Sequence, residues 1–246
     1  MYPYFQYSGG FLPVLLFLFM LVFLFILFIF LPISIVAEAF SKLGLTPVQG
    51  VLMFAAILVG RLVNIPVFTS ERLVVVSKPR TVSYGMDEAG RPVQIEQESA
   101  NELKKQVFAV NVGGFILPFL LSLTFILRQH MIFQADGVYP WIVFVMVMVA
   151  GGCYVLAKPD PYTGVRIPLA LPALITFVCV YFFVPEQFRP VAAYVAGTMG
   201  AVLGGNIIPL LVPRFRNRVG TQQVSIGGPG VFGGVFVAGI LSVLLA

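Results

Sequence analysis

Charge is what this sequence has least of. Only 10% of its 246 residues are charged and 59% are hydrophobic, whereas a soluble domain carries about 25% charged residues. That scarcity excludes a soluble globular protein, and the hydrophobic content excludes a disordered one. Cysteine is nearly absent. Cys153 and Cys179 each sit inside an apolar run, so there is no disulfide framework and both read as small hydrophobes. The single histidine, His130, stands beside Arg128, and one histidine is too little for a metal site. All ten acidic residues fall in loops or at the edges of apolar runs. No carboxylate pair is therefore expected inside a membrane for proteolysis or proton relay. No nucleotide-binding fingerprint is present either. Gly227-Gly-Pro-Gly230 is glycine-rich but lacks the Lys and Ser/Thr of a phosphate loop. The sequence thus points away from an enzyme, and it names no cofactor.

What is present is apolar sequence in long runs. A bilayer core about 30 Å thick needs roughly 20 apolar residues per helix, and lipid leaves helices as the only sensible reading of such runs. Seven candidate spans cover residues 11–36, 48–68, 106–127, 139–156, 167–184, 191–212 and 230–246. The expectation is an all-α integral membrane protein of about seven helices. The last run is short and glycine-rich, so a re-entrant segment is the alternative there. The first run lacks a basic leader and a small-residue cleavage site, so it reads as a signal anchor.

Lys and Arg in the loops set the orientation. Eleven lie on one side: Arg72, Lys78, Arg80, Arg91, Lys104, Lys105, Lys158, Arg166, Arg214, Arg216 and Arg218. Lys42, Arg128 and Arg189 lie on the other, and Arg61 falls within span 2. This predicts a cytoplasmic N-terminus and an outside C-terminus. The net charge of +5 is then a topology signal, and no nucleic-acid partner is expected. The chain divides into spans 1–2 (1–68), a polar loop (69–105) and spans 3–7 (106–246). Within the loop, 73–76, 81–86 and 93–96 carry strand character, with turn chemistry at Asp87-Glu-Ala-Gly-Arg91. A small cytoplasmic β-hairpin is predicted, leaning on the membrane domain or a partner. Lys158-Pro-Asp-Pro-Tyr162 reads as a turn, with Asp160 as its turn residue.

Residues 47–66 align without a gap with 190–209, and each copy ends in an Asn-containing, Pro-terminated stretch: Asn64-Ile-Pro66 and Asn206-Ile-Ile-Pro209. Val110-Asn-Val-Gly-Gly114 likewise parallels Val224-Ser-Ile-Gly-Gly228. Such a repeat would make a parallel 3+1+3 arrangement about an axis along the membrane normal. It would also gather Arg61, Asn64, Asn111, Asn206 and Ser225 into one polar layer in the cytoplasmic half. One reading of that layer is a solute site, with Pro66, Gly113, Gly114, Pro118, Pro209, Gly227 and Gly228 breaking helices around it. The other is structural: Arg61 snorkels to the interface, the asparagines bridge helices, the prolines kink or end them, and Gly200-x-x-x-Gly204 and Gly230-x-x-x-Gly234 serve close packing.

Three motifs carry a family resemblance: Asn64-Ile-Pro66, Ala109-Val-Asn-Val-Gly-Gly114 with Pro118, and Ser225-Ile-Gly-Gly-Pro-Gly230 followed by Phe232. From Ala37 onward the chain resembles a family of uncharacterised prokaryotic multi-span membrane proteins, known only as a domain of unknown function. The resemblance implies a protein of the prokaryotic inner membrane. The family pattern commonly has an acidic residue after the span 6 glycines and another after the last motif's phenylalanine. Here those positions are Asn206 and Gly233, which would leave this member without any chemistry that two carboxylates perform. Two classes of function follow. One is a non-catalytic accessory subunit of a larger membrane complex, with the bilayer and other membrane subunits as partners, and degenerate with respect to any carboxylate enzyme. The other is a small-solute or ion transporter using the polar layer.

Overall fold

The computed structural model describes residues 11–76, 81–86, 92–97 and 102–246, giving the strands at 81–86 and 92–97 as backbone only. It is mostly helical. Four helices are long and apolar enough to cross a membrane: Phe11–Lys42, Val112–Met131, Asp136–Leu156 and Glu186–Leu211. Three shorter apolar helices accompany them, Pro47–Gly60, Leu171–Phe183 and Pro229–Leu245. The aromatic segment 1–7 and the turn predicted at 87–91 lie outside the described residues.

Helix α1 (Phe11–Lys42) is about 48 Å long at helical rise. Its first 21 residues are all exposed, and only Val36, Ala39 and Phe40 near its end are buried. Gly44, at φ +83°, ends it in the left-handed conformation that favours glycine. Thr46 then starts α2 (Pro47–Gly60) with a capping box: Gln49 N donates to Thr46 Oγ1 at 3.3 Å and Thr46 N to Gln49 Oε1 at 2.9 Å. The packed centre is α6 (Arg189–Val202). Its Ala192, Ala193, Ala196, Gly200 and Ala201 are buried, and small residues are what let membrane helices approach closely. A Cβ on Gly200 would stand 2.8 Å from Val149 Cβ, so Gly200-x-x-x-Gly204 serves packing against α4 (Tyr139–Leu156). Tyr194 of α6 meets Phe125 of α3 (Leu117–Met131) edge-on at 5.2 Å, with Phe40 at 6.1 Å.

The all-α expectation needs correcting at one end of the bundle, where a three-stranded sheet forms. Its order is β1 (Asn64–Val76), β4 (Glu102–Asn111), β7 (Gln223–Ile226), with β1–β4 antiparallel and β4–β7 parallel. Span 2 therefore stops at Gly60 rather than running to 68, and residues 106–111 are strand, not the start of span 3. Two causes account for this. Pro66 has no N–H and pushes Ile65 toward extended backbone, and it is tolerated because β1 is an edge strand. Residues 107–110 are apolar and flanked by paired strands, and such a run does not alternate, so periodicity alone cannot separate it from helix. Between β1 and β4, β2 (Thr81–Met86) pairs antiparallel with β3 (Pro92–Gln97), from Thr81↔Gln97 to Met86↔Pro92. A third small pair joins β5 (Lys158–Asp160) to β6 (Gly164–Arg166). The fold is completed by α5 (Leu171–Phe183), α7 (Ile208–Leu211), α8 (Pro213–Arg216) and α9 (Pro229–Leu245).

The proposed repeat also fails at its motifs, because Asn64-Ile-Pro66 is strand while Asn206-Ile-Ile-Pro209 is helical. A different pair matches instead. Val112-Gly-Gly-Phe-Ile-Leu-Pro118 and Leu203-Gly-Gly-Asn-Ile-Ile-Pro209 both form a π turn, Val112–Ile116 and Leu203–Ile207. In each, the residue before proline donates to the carbonyl five back: Leu117 to Val112 and Ile208 to Leu203. The proline explains the wide turn, since it cannot donate to the carbonyl four back and its ring crowds it.

Candidate functional site

The predicted polar layer resolves into a hydrogen-bonded junction where sheet meets helices. Asn111 is the last residue of β4 and caps the first π turn. It is fully buried. Its Oδ1 accepts from Gly114 N at 2.7 Å, and its Nδ2 donates to Arg61 O at 2.7 Å and to Asn64 Oδ1 at 3.0 Å. The same Asn64 oxygen accepts from Ser225 Oγ at 2.6 Å. One amide thus ties the end of α2, the edge strand and the start of α3, and β7 joins through Ser225.

Asn206 reaches the same region from the second π turn. It is 1% exposed, and its Oδ1 accepts from Gly227 N at 2.9 Å. Gly227 is held at φ +71°, where a side chain is strained, and it lies backbone to backbone against Gly114. Gly113 presses on the backbone of Ile57 and Gly60, and Gly228 lies over Ser225. Gly230 and Gly234 back onto β6 and Ile167.

Arg61 belongs to the junction only through its carbonyl. It is the C-cap of α2, not a residue within the helix. Its side chain is exposed, with Cζ 5.0 Å over the Phe232 ring, a cation–π arrangement. Pro66 lies in β1 at Ala109, away from the two proline-linked π turns. Asn64, Asn111, Asn206 and Ser225 are therefore brought together, and the arginine side chain is not.

Beside the junction lies a groove that the sequence reading missed. A cavity of about 670 Å³ is lined by Leu156, Lys158, Arg166, Leu169, Gly230 and Gly233, among others. A second cavity of about 350 Å³ is lined by Asn64, Thr163, Thr221, Ser225 and neighbours, and shares Thr163 and Pro229 with the first. Thr163 Oγ1, Thr221 Oγ1 and Gln106 Oε1 are buried without a partner among the described residues. Arg72 of β1 closes the far side of the loop between α8 and β7, donating to Arg216 O and Asn217 O, both at 2.6 Å. The detectable signal was the charge at both ends of Lys158-Pro-Asp-Pro-Tyr-Thr-Gly-Val-Arg166, a turn flanked by strand-compatible residues.

Asp160 holds the hairpin turn. Its Oδ1 accepts from Thr163 N and from Tyr162 N, each at 2.8 Å. The Thr163 and Tyr162 amides hold its carboxyl below the usual carboxylate range, and nearby Arg166 adds to this. A carboxyl whose pKa is lowered by folding stabilises the fold above its unfolded pKa, and that contribution is lost as pH falls through the lowered value. Amide protection of Tyr162 and Thr163 is therefore expected to persist from neutral pH through the ordinary carboxylate range and to fall only below it. Hydrogen exchange across that interval measures this, and Asp160→Asn should flatten the pH dependence. At the opposite end of the bundle, His130 Nδ1 lies 2.7 Å from Asp136 Oδ1.

A family profile described as a protein of unknown function (DUF1614) matches residues 58–245, about three quarters of the chain. The chain belongs to this family. The DUF1614 region holds the sheet, both π turns, the junction and the groove, while α1 precedes it. Comparison with curated proteins and with solved structures yields no match. The two positions where the resemblance implies acids fall apart in role within this DUF1614 fold. Asn206 is buried in the junction, and Gly233 opens onto the groove.

Proposed function

We propose that this protein is a non-catalytic integral membrane protein that acts as an accessory subunit of a larger membrane complex, docking through α1. The uncovered length of α1 carries this reading. Residues 11–31 are wholly exposed, including Phe17, Phe19, Phe25, Phe28 and Phe30 at 60% or more. Over about 31 Å they could cross a bilayer core on their own. The other described residues leave them bare, and α1 joins the bundle only over its last turns. Aromatic side chains are enriched where proteins meet, and a partner's membrane helix is the occupant this face suits.

The junction supports the same reading. Asn111 and Asn206 spend their polar atoms on backbone and neighbouring side chains, as interhelical bridges do. Less supports a carrier, because Arg61 stacks on Phe232 instead of entering the junction. The three shorter helices would complete a seven-helix bundle in the inner membrane of a prokaryote. The sheet end, which carries Arg72, Lys104, Lys105, Lys158, Arg166, Arg214, Arg216 and Arg218, would face the cytoplasm. Lys42 Nζ bonds Leu244 O at 2.7 Å, so the ends of α1 and α9 meet at the other face.

Purification of the full chain from its native membrane in a mild detergent is expected to bring down a stoichiometric membrane partner. Replacing Phe17, Phe19, Phe25 and Phe28 together by alanine should release that partner with the Tm of the remaining protein unchanged. A lone monodisperse monomer from the native membrane would sink the proposal.

A further inference from the structure

The β5–β6 hairpin places two cations opposite one another. Lys158 pairs with Arg166 across the antiparallel register, and like charges directly opposite destabilise a strand pair. Both side chains are exposed, and neither makes a salt bridge or hydrogen bond with a described residue, although the charge of Arg166 also acts on Asp160. Asp160 is the one acidic residue lining the same groove, and its Oδ1 is engaged by Tyr162 N and Thr163 N. The wall facing the cations is the first turn of α9, a 17-residue helix that opens Pro229-Gly230. Of its first-turn amides, those of Val231 and Phe232 already donate to Gly228 O at 3.0 and 2.8 Å and Pro229 has none, which leaves Gly230 N at the positive end of the helix dipole. Gly230 packs on β6, where a Cβ would run into Val165 O and stand 2.5 Å from Thr163 Oγ1. Thr221, only 6% exposed, lines the adjoining cavity with its Oγ1 unpartnered. Two cations and a helix N-terminus line one groove, and Thr163 stands between it and the adjoining cavity that Thr221 lines.

We infer that this groove binds a phosphate group, with Lys158 and Arg166 supplying charge and Thr163 Oγ1 and Gly230 N supplying hydrogen-bond donors. The groove is also half apolar. Leu156, Leu169 and Gly233 line it, a wall suited to the glycerol and upper acyl carbons of a phospholipid. The same phosphate chemistry could come from a lipid headgroup or from a soluble phosphate. Basic pockets of this kind at the ends of membrane helices are where anionic headgroups bind. The inference does not depend on α1 or on any protein partner.

The test uses the full chain in nanodiscs of phosphatidylcholine, with phosphatidylglycerol or inorganic phosphate added separately. Native mass spectrometry counts bound lipid, and Tm reports binding. Phosphatidylglycerol is expected to remain bound to the wild-type protein and to raise its Tm. The K158Q/R166Q double variant, altered only at exposed side chains, should bind it about thirtyfold more weakly, with its Tm in pure phosphatidylcholine unchanged or slightly raised because the like-charge pair is gone. T163V should weaken binding through the loss of one hydroxyl donor. A matching Tm rise with inorganic phosphate, lost in the same variants, would assign the site to a soluble phosphate. Binding of neither, or binding equal in wild type and double variant, would overturn the inference.

Discussion

Gly114→Ala is expected to abolish the native fold, or to lower its stability by about 3 kcal/mol or more. The new methyl group would run into the Gly227 carbonyl oxygen and lie 2.8 Å from the carbon behind it. Both atoms are backbone, so no rotamer change relieves the contact. Moving them would open the junction that Asn206 closes on Gly227 N at 2.9 Å. Gly227→Ala should fail in the same way for two reasons. Its φ of +71° disfavours any Cβ, and that Cβ would stand 2.5 Å from Gly114 C. Gly151→Ala is the control, since nothing lies within 4 Å of its Cβ position. Monodispersity in detergent and Tm measure all three. A monodisperse Gly114→Ala protein with wild-type Tm would mean that β7 and the first π turn do not meet as described.

The second large effect is expected at Asn111. Truncation to alanine leaves Gly114 N and Arg61 O without the partners they have at 2.7 Å each, in a fully buried setting. Each orphaned group costs about 1–3 kcal/mol, so a loss of roughly 3 kcal/mol is expected. Aspartate separates the two roles of the amide. It keeps an acceptor for Gly114 N but directs a carboxylate oxygen at Arg61 O and Asn64 Oδ1, where only a donor fits. Asn111→Asp should be as unstable as alanine at neutral pH and should recover in acid, where the carboxyl carries a proton and can donate. A Tm series against pH distinguishes the two variants. An Asn111→Asp protein with wild-type Tm at neutral pH would show that the donor bonds contribute nothing.

The sequence made the apolar helices legible because their cause is local: run length and lack of charge. It also located the junction, since Asn64, Asn111, Asn206 and Ser225 are polar residues amid apolar ones and so stand out. It could not show what they bond. The Asn111–Asn64 bond needs β1 and β4 to pair in register, and the central strand β4 hides in an apolar run with no alternation. Pro66 was a sufficient warning that the helix ends earlier, but a proline near a predicted helix end is also compatible with a kink. The two π turns are present as matching strings ending in Pro118 and Pro209, but the asparagines, at Asn64 and Asn206, align the sequence on a different pair of segments. The groove was least legible. Lys158 and Arg166 are eight positions apart, and only the hairpin register makes them neighbours.

The sheet has a consequence for biosynthesis. Its middle strand is complete at Asn111, but the parallel neighbour begins only at Gln223. At ordinary elongation rates the ribosome needs roughly 6 to 22 s to make the intervening chain. For that interval one edge of β4 stays open, with peptide groups ready to pair with any extended segment nearby. Slowing translation between the two strands should therefore lengthen the window for mispairing and lower the yield of assembled protein, with no change in the finished product.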